Sequence, residues 1–405
     1  MAGPSLDDRA TRVEPDPVEH PPAPTRPVLH LPGLDGLRAG AALGVLVTHV
    51  AFQTGSTSGG VLGAVLNRLT LAVAVFFALS GFLLWRPWAT ASAGETDPPG
   101  LGTYLLNRAA RILPAYLLLV VVVLWLLPEN GTASTTEWLA NLGLAQVYVP
   151  LTLVPGLTHL WSLSVEVAFY IVLPLLGLAF TTIRGRRRVL LMTAVGVLCL
   201  GWPWLRAAAF PSVQADLWLP AYLPWFLVGM VLAELVVTPP RWLLAAAEHA
   251  WMWLLLAATA YGTACTPLAG GLGLVVPTSL QAATNTVLGT VLALGLLVPL
   301  ALGGPSSYQR LLSTGPARVL GRWSYGIFLW HLSVLAVVFP LLGVAQFTGH
   351  ALMVGLATAV LSLPVAAASY ALVEEPVRLA VRRFERGRRG SAATPSTSSA
   401  VSTRS

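Results

Sequence analysis

The sequence predicts an all-α fold: a polytopic transmembrane helix bundle of about ten spans with both termini in the cytoplasm. Of its 405 residues, 55% are hydrophobic and 10% charged, against roughly 25% charged in ordinary soluble domains. So few charges would not cover a soluble surface. The apolar residues come in blocks, such as Leu117 to Leu127 (LLLVVVVLWLL) and Val291 to Leu302 (VLALGLLVPLAL), which with their flanks reach the ~20 residues that cross a bilayer as helix. The basic residues, all 24 of them arginine, lie mostly between these blocks and on one side of the predicted membrane.

Residues 1–32 are polar and proline-rich (EPDPVEHPPAPTRP) with no apolar core, so they read as a disordered cytoplasmic tail and not as a secretory signal. A membrane domain follows over 33–380. Its spans are expected near 37–54, 66–85, 109–127, 157–180, 189–209, 219–237, 250–266, 281–302, 323–343 and 352–373. With that spacing Arg38, the 86–111 loop, the Arg184, Arg186, Arg187 and Arg188 cluster, Arg241, the Arg310, Arg318 and Arg322 loop and the Arg378 to Arg389 segment share one face, the expected cytoplasmic one. Arg68 and Arg206 alone fall on the other. Counting Glu137 to Val149 (EWLANLGLAQVYV) as a span would move the Arg184 cluster outside, so this stretch reads as a short peripheral or re-entrant helix near the outer face. Residues 381–405, an arginine cluster and then a Ser/Thr run, form a disordered tail that serves as a stop signal or touches anionic headgroups.

The formal charge of +7 therefore reports topology, and no nucleic-acid partner is implied. Cys199 and Cys265 lie in or beside apolar segments without metal or disulfide spacing, so no metal is expected. The natural partner of the surface is the lipid bilayer, here the plasma membrane.

Ionisable groups inside spans cost on the order of 2.5 to 3.5 kcal/mol each on insertion scales, which makes each a functional candidate. His49 follows Arg38 by eleven residues, about 16 Å along a helix. Its imidazole suits a general base or a nucleophile; the alternative is a hydrogen bond to a neighbouring helix. Glu166, in HLWSLSVEVAFY, sits roughly 14 Å from the opposite edge of its span, at a depth similar to His49. It could orient the imidazole, accept a hydroxyl proton or hold a sugar, or simply bond between helices. Arg108 and Arg111 are one turn apart at the start of the third span, with Arg38 at the same level. Three guanidinium groups there suit a phosphorylated cytoplasmic ligand, or anchor the topology. The run Trp323 to His331 (WSYGIFLWH) brings His331 into its span, where the aromatic residues line a cavity or pack.

Together these segments resemble the acyltransferase 3 family: Leu34 to Arg38 (LDGLR) with His49, Phe76 to Phe82 (FFALSGF), Arg108 to Arg111 with Pro114 and Tyr116, Trp161 to Glu166 (WSLSVE) with Phe169 and Tyr170, Trp323 to His331, and Glu374 to Pro376 (EEP). Six motifs in order cover roughly 31–380. The resemblance implies an integral-membrane O-acyltransferase that takes an acyl group, usually acetyl, from acyl-CoA and passes it to a hydroxyl of a sugar, glycan, glycolipid or glycosylated metabolite. It implies His49 and Glu166 as catalytic residues, Arg38, Arg108 and Arg111 on the donor side, and Trp161, Ser164, Tyr170, Tyr325 and His331 around the pocket. Val167 and Ala168 depart from the second polar pair of many relatives. Many relatives also carry an extracytoplasmic domain after the last span; here the acceptor is expected to reach the membrane pocket itself, or a separate extracytoplasmic protein to receive the acyl group. The rival reading is a proton-coupled transporter of a polar or anionic solute, whose usual inverted repeats are not evident.

Overall fold

In lipid every backbone donor and acceptor must be satisfied within the chain, and the described residues meet that demand with helices. The computed structural model describes residues 31–180, 182–210 and 214–392. The tail expected over 1–32 thus lies, up to residue 30, outside them, as do residues 393–405.

The chain order is α1 (Pro32–Gln53), α2 (Gly60–Arg68), α3 (Ala72–Ser92), α4 (Leu101–Leu126), α5 (Thr135–Leu142), α6 (Trp161–Ala179), α7 (Arg186–Cys199) and α8 (Trp202–Ala209). Then come α9 (Leu219–Val237), α10 (Arg241–Ala247), α11 (Ala250–Ala264), α12 (Ser279–Ala301), α13 (Ser307–Leu312), α14 (Gly315–Leu342), α15 (Ala351–Ser369) and α16 (Glu375–Ala392). Among the described residues, 8 helices are long and apolar enough to cross a membrane, or 10 when each of two bent pairs counts as one span. The bent pairs are α7 with α8, at 43°, and α10 with α11, at 82°. The span expected at 250–266 is therefore half of a sharply broken unit. Pro239 and Pro240 keep α9 from running into α10.

Several helices begin earlier than their apolar blocks. α4 starts at Leu101 and α14 at Gly315, each eight residues before the expected start, because nothing breaks the helix between Gly100 or Thr314 and the apolar run. Arg108 and Arg111 consequently stand about two turns inside α4 rather than at its opening. α16 continues through Ala392, so the start of the segment expected to be an unstructured tail is helical. Asn107 Nδ2 donates to Glu385 Oε1 at 2.8 Å and holds it beside α4. Residues 137–149 form no span: α5 has 8 residues, about 12 Å of helix. A capping box starts it, with the Ser134 hydroxyl accepting from the Glu137 amide and the Glu137 carboxylate accepting from the Ser134 amide.

The tightest seam joins α3 and α9. Gly81 and Gly229 let the two backbones touch, since a Cβ on Gly81 would overlap the Phe226 carbonyl and one on Gly229 the Ala78 carbonyl. Phe226 then stacks between Phe77 of α3 and Phe169 of α6, with centroids 4.3 and 4.0 Å away. On the other side α1 packs along α14, and α14 along α15. Arg188, expected to be one of four topological arginines, turns inward: it is 2% exposed and pairs with Glu234 at 2.8 Å. Trp85 Nε1 donates to the same carboxylate oxygen at 2.7 Å.

Candidate active site

Among the described residues, cavities enter the bundle, and two of them together hold most of the expected site residues. The first, about 750 Å³ of empty space with its mouth included, is lined by Arg38, Arg108, Arg111, Glu166, Tyr170 and Tyr325 together with apolar residues of α3 and α14. α1 contributes Arg38 and α4 the other two arginines. Arg108 and Arg111 lie on one face because residues three apart on a helix are neighbours. The three salt bridges among the described residues join Arg188 to Glu234, Arg206 to Asp216 and Arg378 to Glu375, so none of these three guanidinium groups is neutralised by a contact ion pair. Arg108 Nε is buried without a hydrogen-bond partner. A groove of about 980 Å³ shares Leu83, Leu84 and Arg108 with this cavity and extends it along Asp97 to Gly100.

Glu166 belongs to this arginine cavity. Its Oε1 accepts hydrogen bonds from Ser80 Oγ at 2.5 Å and from the Tyr170 hydroxyl at 2.7 Å. Tyr104 donates to the Tyr170 carbonyl at 3.1 Å and Tyr325 to the Ile112 carbonyl at 2.9 Å, so three phenols brace the walls. Glu374, buried in a π-helical turn over Tyr370–Glu374, lies within electrostatic reach of Arg111. π-Helical turns inside α-helices are frequent at functional sites.

His49 faces the second cavity, a wider one of about 2130 Å³ with its open mouth included. Two imidazoles surround it: the ring of His331 on α14 has its centroid 5.2 Å away, and the ring of His159, in the turn before α6, 6.2 Å away. His159 and His331 are 4.8 Å apart. The wall carries Tyr222, Trp202 and Trp225, and the two indole N–H groups are tied to the carbonyls of Ala215 and Thr286, each at 2.8 Å. Gln53 Oε1 and Asn285 Oδ1 are buried acceptors without partners on the same wall. The two arginines that break the charge bias are both here. Arg68 donates to the Gly270 carbonyl at 2.5 Å, and Arg206 faces Asp216 at 3.9 Å.

The two cavities share no lining residue. Between them stand Phe328, whose ring touches His159 and His331, and Phe77, whose ring touches Tyr222. Aromatic side chains thus stand between the arginine cavity and the histidine cluster.

Residues 31–371 match the family model described as an acyltransferase domain. The chain belongs to the acyltransferase 3 family. It is similar to the acyltransferase MdmB of Streptomyces mycarofaciens, 29% identical over 386 residues that cover 88% of this chain and 94% of that protein. It is also similar to the peptidoglycan O-acetyltransferase OatA of Listeria monocytogenes, 24% identical over 376 residues, covering 86% and 56%. The O-acetyltransferase OatA of Staphylococcus aureus is 25% identical over 366 residues, covering 86% and 57%. The match thus takes in nearly all of MdmB and little more than half of each OatA protein. No solved structure matches.

As an acyltransferase 3 member the chain is a multi-pass membrane O-acyltransferase, which sets the transporter reading aside. Of the site residues expected from sequence, the structure gathers Arg38, Arg108, Arg111, Glu166, Tyr170 and Tyr325 into one cavity and puts His49 in the other. Glu166 and His49, expected to share a depth, do not share a cavity: distance along each helix fixes depth but not the face. Trp161 lines neither cavity and packs on Tyr222 at 4.9 Å. Ser164 also lies outside both, its hydroxyl bonded back to the Leu160 carbonyl at 3.4 Å, because the helical turn that carries Glu166 inward carries Ser164 away. His331 is fully buried behind His49. Sequence reasoning passed over His159, whose signal was its place at the head of HLWSLSVE, and Ser80, inside FFALSGF.

Proposed function

We propose that this enzyme transfers an acyl group, with acetyl the expected one, from acyl-CoA to a hydroxyl of a sugar, glycan, glycolipid or glycosylated metabolite, with His49 as the general base. The carrying observation is a cavity of arginines without contact ion pairs, whose lining residue Phe328 packs on the imidazoles that surround His49 in a second cavity. Coenzyme A offers phosphates at one end and a thioester at the other. Arg38, Arg108 and Arg111 suit the phosphates, by charge-assisted bidentate bonds, and the acyl arm passes Phe328 towards His49. The arginine face is the cytoplasmic face of the plasma membrane on the charge bias, which puts both termini there.

The acceptor enters the histidine cavity. Its indole and phenol faces suit the apolar side of a sugar ring, and the orphaned amide oxygens of Gln53 and Asn285 suit hydroxyl donors. The named O-acetyltransferase activity of two relatives supports a hydroxyl acceptor, and the width of the cavity supports direct entry over delivery to a separate extracytoplasmic protein. In the reaction His49 takes the hydroxyl proton as the acceptor oxygen bonds to the thioester carbonyl carbon. The C–S bond then breaks, and the coenzyme A thiolate leaves with that proton. Glu166, bonded to Ser80 and Tyr170, shapes the donor side.

Purified protein incubated with acyl-labelled acetyl-CoA and a panel of glycosides tests this reading. Label on a glycoside oxygen, with stoichiometric coenzyme A release that His49→Ala abolishes, is the expected result. Undiminished transfer by His49→Ala would overturn it.

A further inference from the structure

Two buried imidazoles touching His49 have no part in the transfer chemistry above, and their hydrogen bonds fix their tautomers. A carbonyl only accepts, so a ring nitrogen facing one carries the proton. His331 Nδ1 lies 2.7 Å from the Phe328 carbonyl and 3.1 Å from that of Ile327. His159 Nε2 lies 3.1 Å from the Leu329 carbonyl. Each ring therefore keeps a lone pair on its other nitrogen, and those atoms, His331 Nε2 and His159 Nδ1, are buried without a partner. Among the described residues no group of three or more His, Cys, Asp and Glu is arranged to hold a metal. What the two lone pairs lack is a donor.

His49 is the donor in reach. The two rings are not hydrogen-bonded in the structure, where His331 Nε2 has no partner, but their centroids stand 5.2 Å apart, close to the about 5 Å of imidazoles joined by an N–H···N bond of ~3 Å, so a turn of the His49 ring makes that bond. Glu166, which on the sequence could orient the imidazole, accept a hydroxyl proton or hold a sugar, lies in the other cavity. We propose that His331 is a positioning residue, with His159 packed behind it: its Nε2 lone pair accepts the His49 N–H and so turns the other His49 nitrogen, unprotonated, into the histidine cavity. A neutral imidazole takes the place that a carboxylate holds in a Ser-His-Asp triad. The protons balance without it: His49 keeps the shared N–H throughout and carries the acceptor's proton on its other nitrogen, and His331 gains and loses none. The inference rests on His49 being the base.

The test separates anchoring from acceptance. His331→Asn puts an amide N–H near the former Nδ1, keeping the donor to the Phe328 carbonyl, but offers no acceptor at Nε2. His331→Gln offers its amide oxygen there. The asparagine variant should lose about 100-fold in kcat, within the range general bases contribute, with donor and acceptor KM unchanged, while the glutamine variant recovers most of it. Wild-type kcat in the asparagine variant, or equal loss in both variants with KM values retained, would overturn the proposal. Should either fail to fold, diethyl pyrocarbonate modification of wild-type His49 gives a second measurement: one reactive nitrogen is expected, and two equally reactive nitrogens would reject it. His49→Ala decides the underlying reading separately, since an active His49→Ala removes the base itself.

Discussion

The ring of Phe328 meets the ring of His159 edge-on, with 5.3 Å between centroids, while the same side chain lines the arginine cavity. One phenyl group therefore borders the chamber assigned to the donor and the histidine cluster. Phe328→Ala should let water through this wall and raise acyl-CoA hydrolysis relative to transfer by about tenfold, since excluding water suppresses such side reactions. Free acid and acylated acceptor, quantified in the same reaction, give the ratio; an unchanged ratio would mean that the barrier lies elsewhere.

Arg108 and Arg111 should act on the phosphates and not on the thioester. Replacing either by alanine should raise the KM for acetyl-CoA about tenfold, the scale of one lost charge-assisted hydrogen bond, and leave KM for acetyl-pantetheine, which lacks the nucleotide phosphates, unaltered. Steady-state kinetics with both donors measures this. Equal loss with both would assign the arginines to folding.

Glu166→Gln should be mild. Its amide oxygen still accepts from Ser80 and Tyr170, so kcat should stay within about tenfold of wild type, whereas His49→Ala should remove activity to the limit of the assay. A glutamine variant as inactive as His49→Ala would return Glu166 to the proton transfer, as the sequence alone suggested.

The buried Arg188–Glu234 pair predicts a stability pattern. Glu234→Leu strands the Arg188 charge and the Trp85 N–H, which should cost about 3 to 5 kcal/mol and lower the melting temperature in detergent. Combining it with Arg188→Leu should recover much of the loss. A double variant less stable than Glu234→Leu alone would show that Arg188 does more through its bonds to the Phe180 and Ile183 carbonyls than through the pair.

Hydropathy and arginine placement made the bundle legible, because lipid forces both to follow the membrane. The same signals said little about helix faces. Arg188 looks like its neighbours Arg186 and Arg187 in the sequence, and only its turn towards Glu234 of α9 distinguishes it. Arg68 and Arg206 read as exceptions to a charge rule, yet they border the cavity of His49. His159 was hidden because its significance is a meeting of α1, α14 and the turn before α6, a contact between parts of the chain more than a hundred residues apart. Helix ends at Leu101 and Ala392 were missed where polar residues continue a helix beyond its apolar block.

The absence of any residue common to both cavities has a bearing on the cell's energetics. A protein that crosses a membrane must not become a conductor, since a continuous file of water through the bundle would let ions run down their gradients. Phe77 and Phe328, which line the arginine cavity and touch Tyr222 and the buried histidine rings, interrupt such a file between the two recesses.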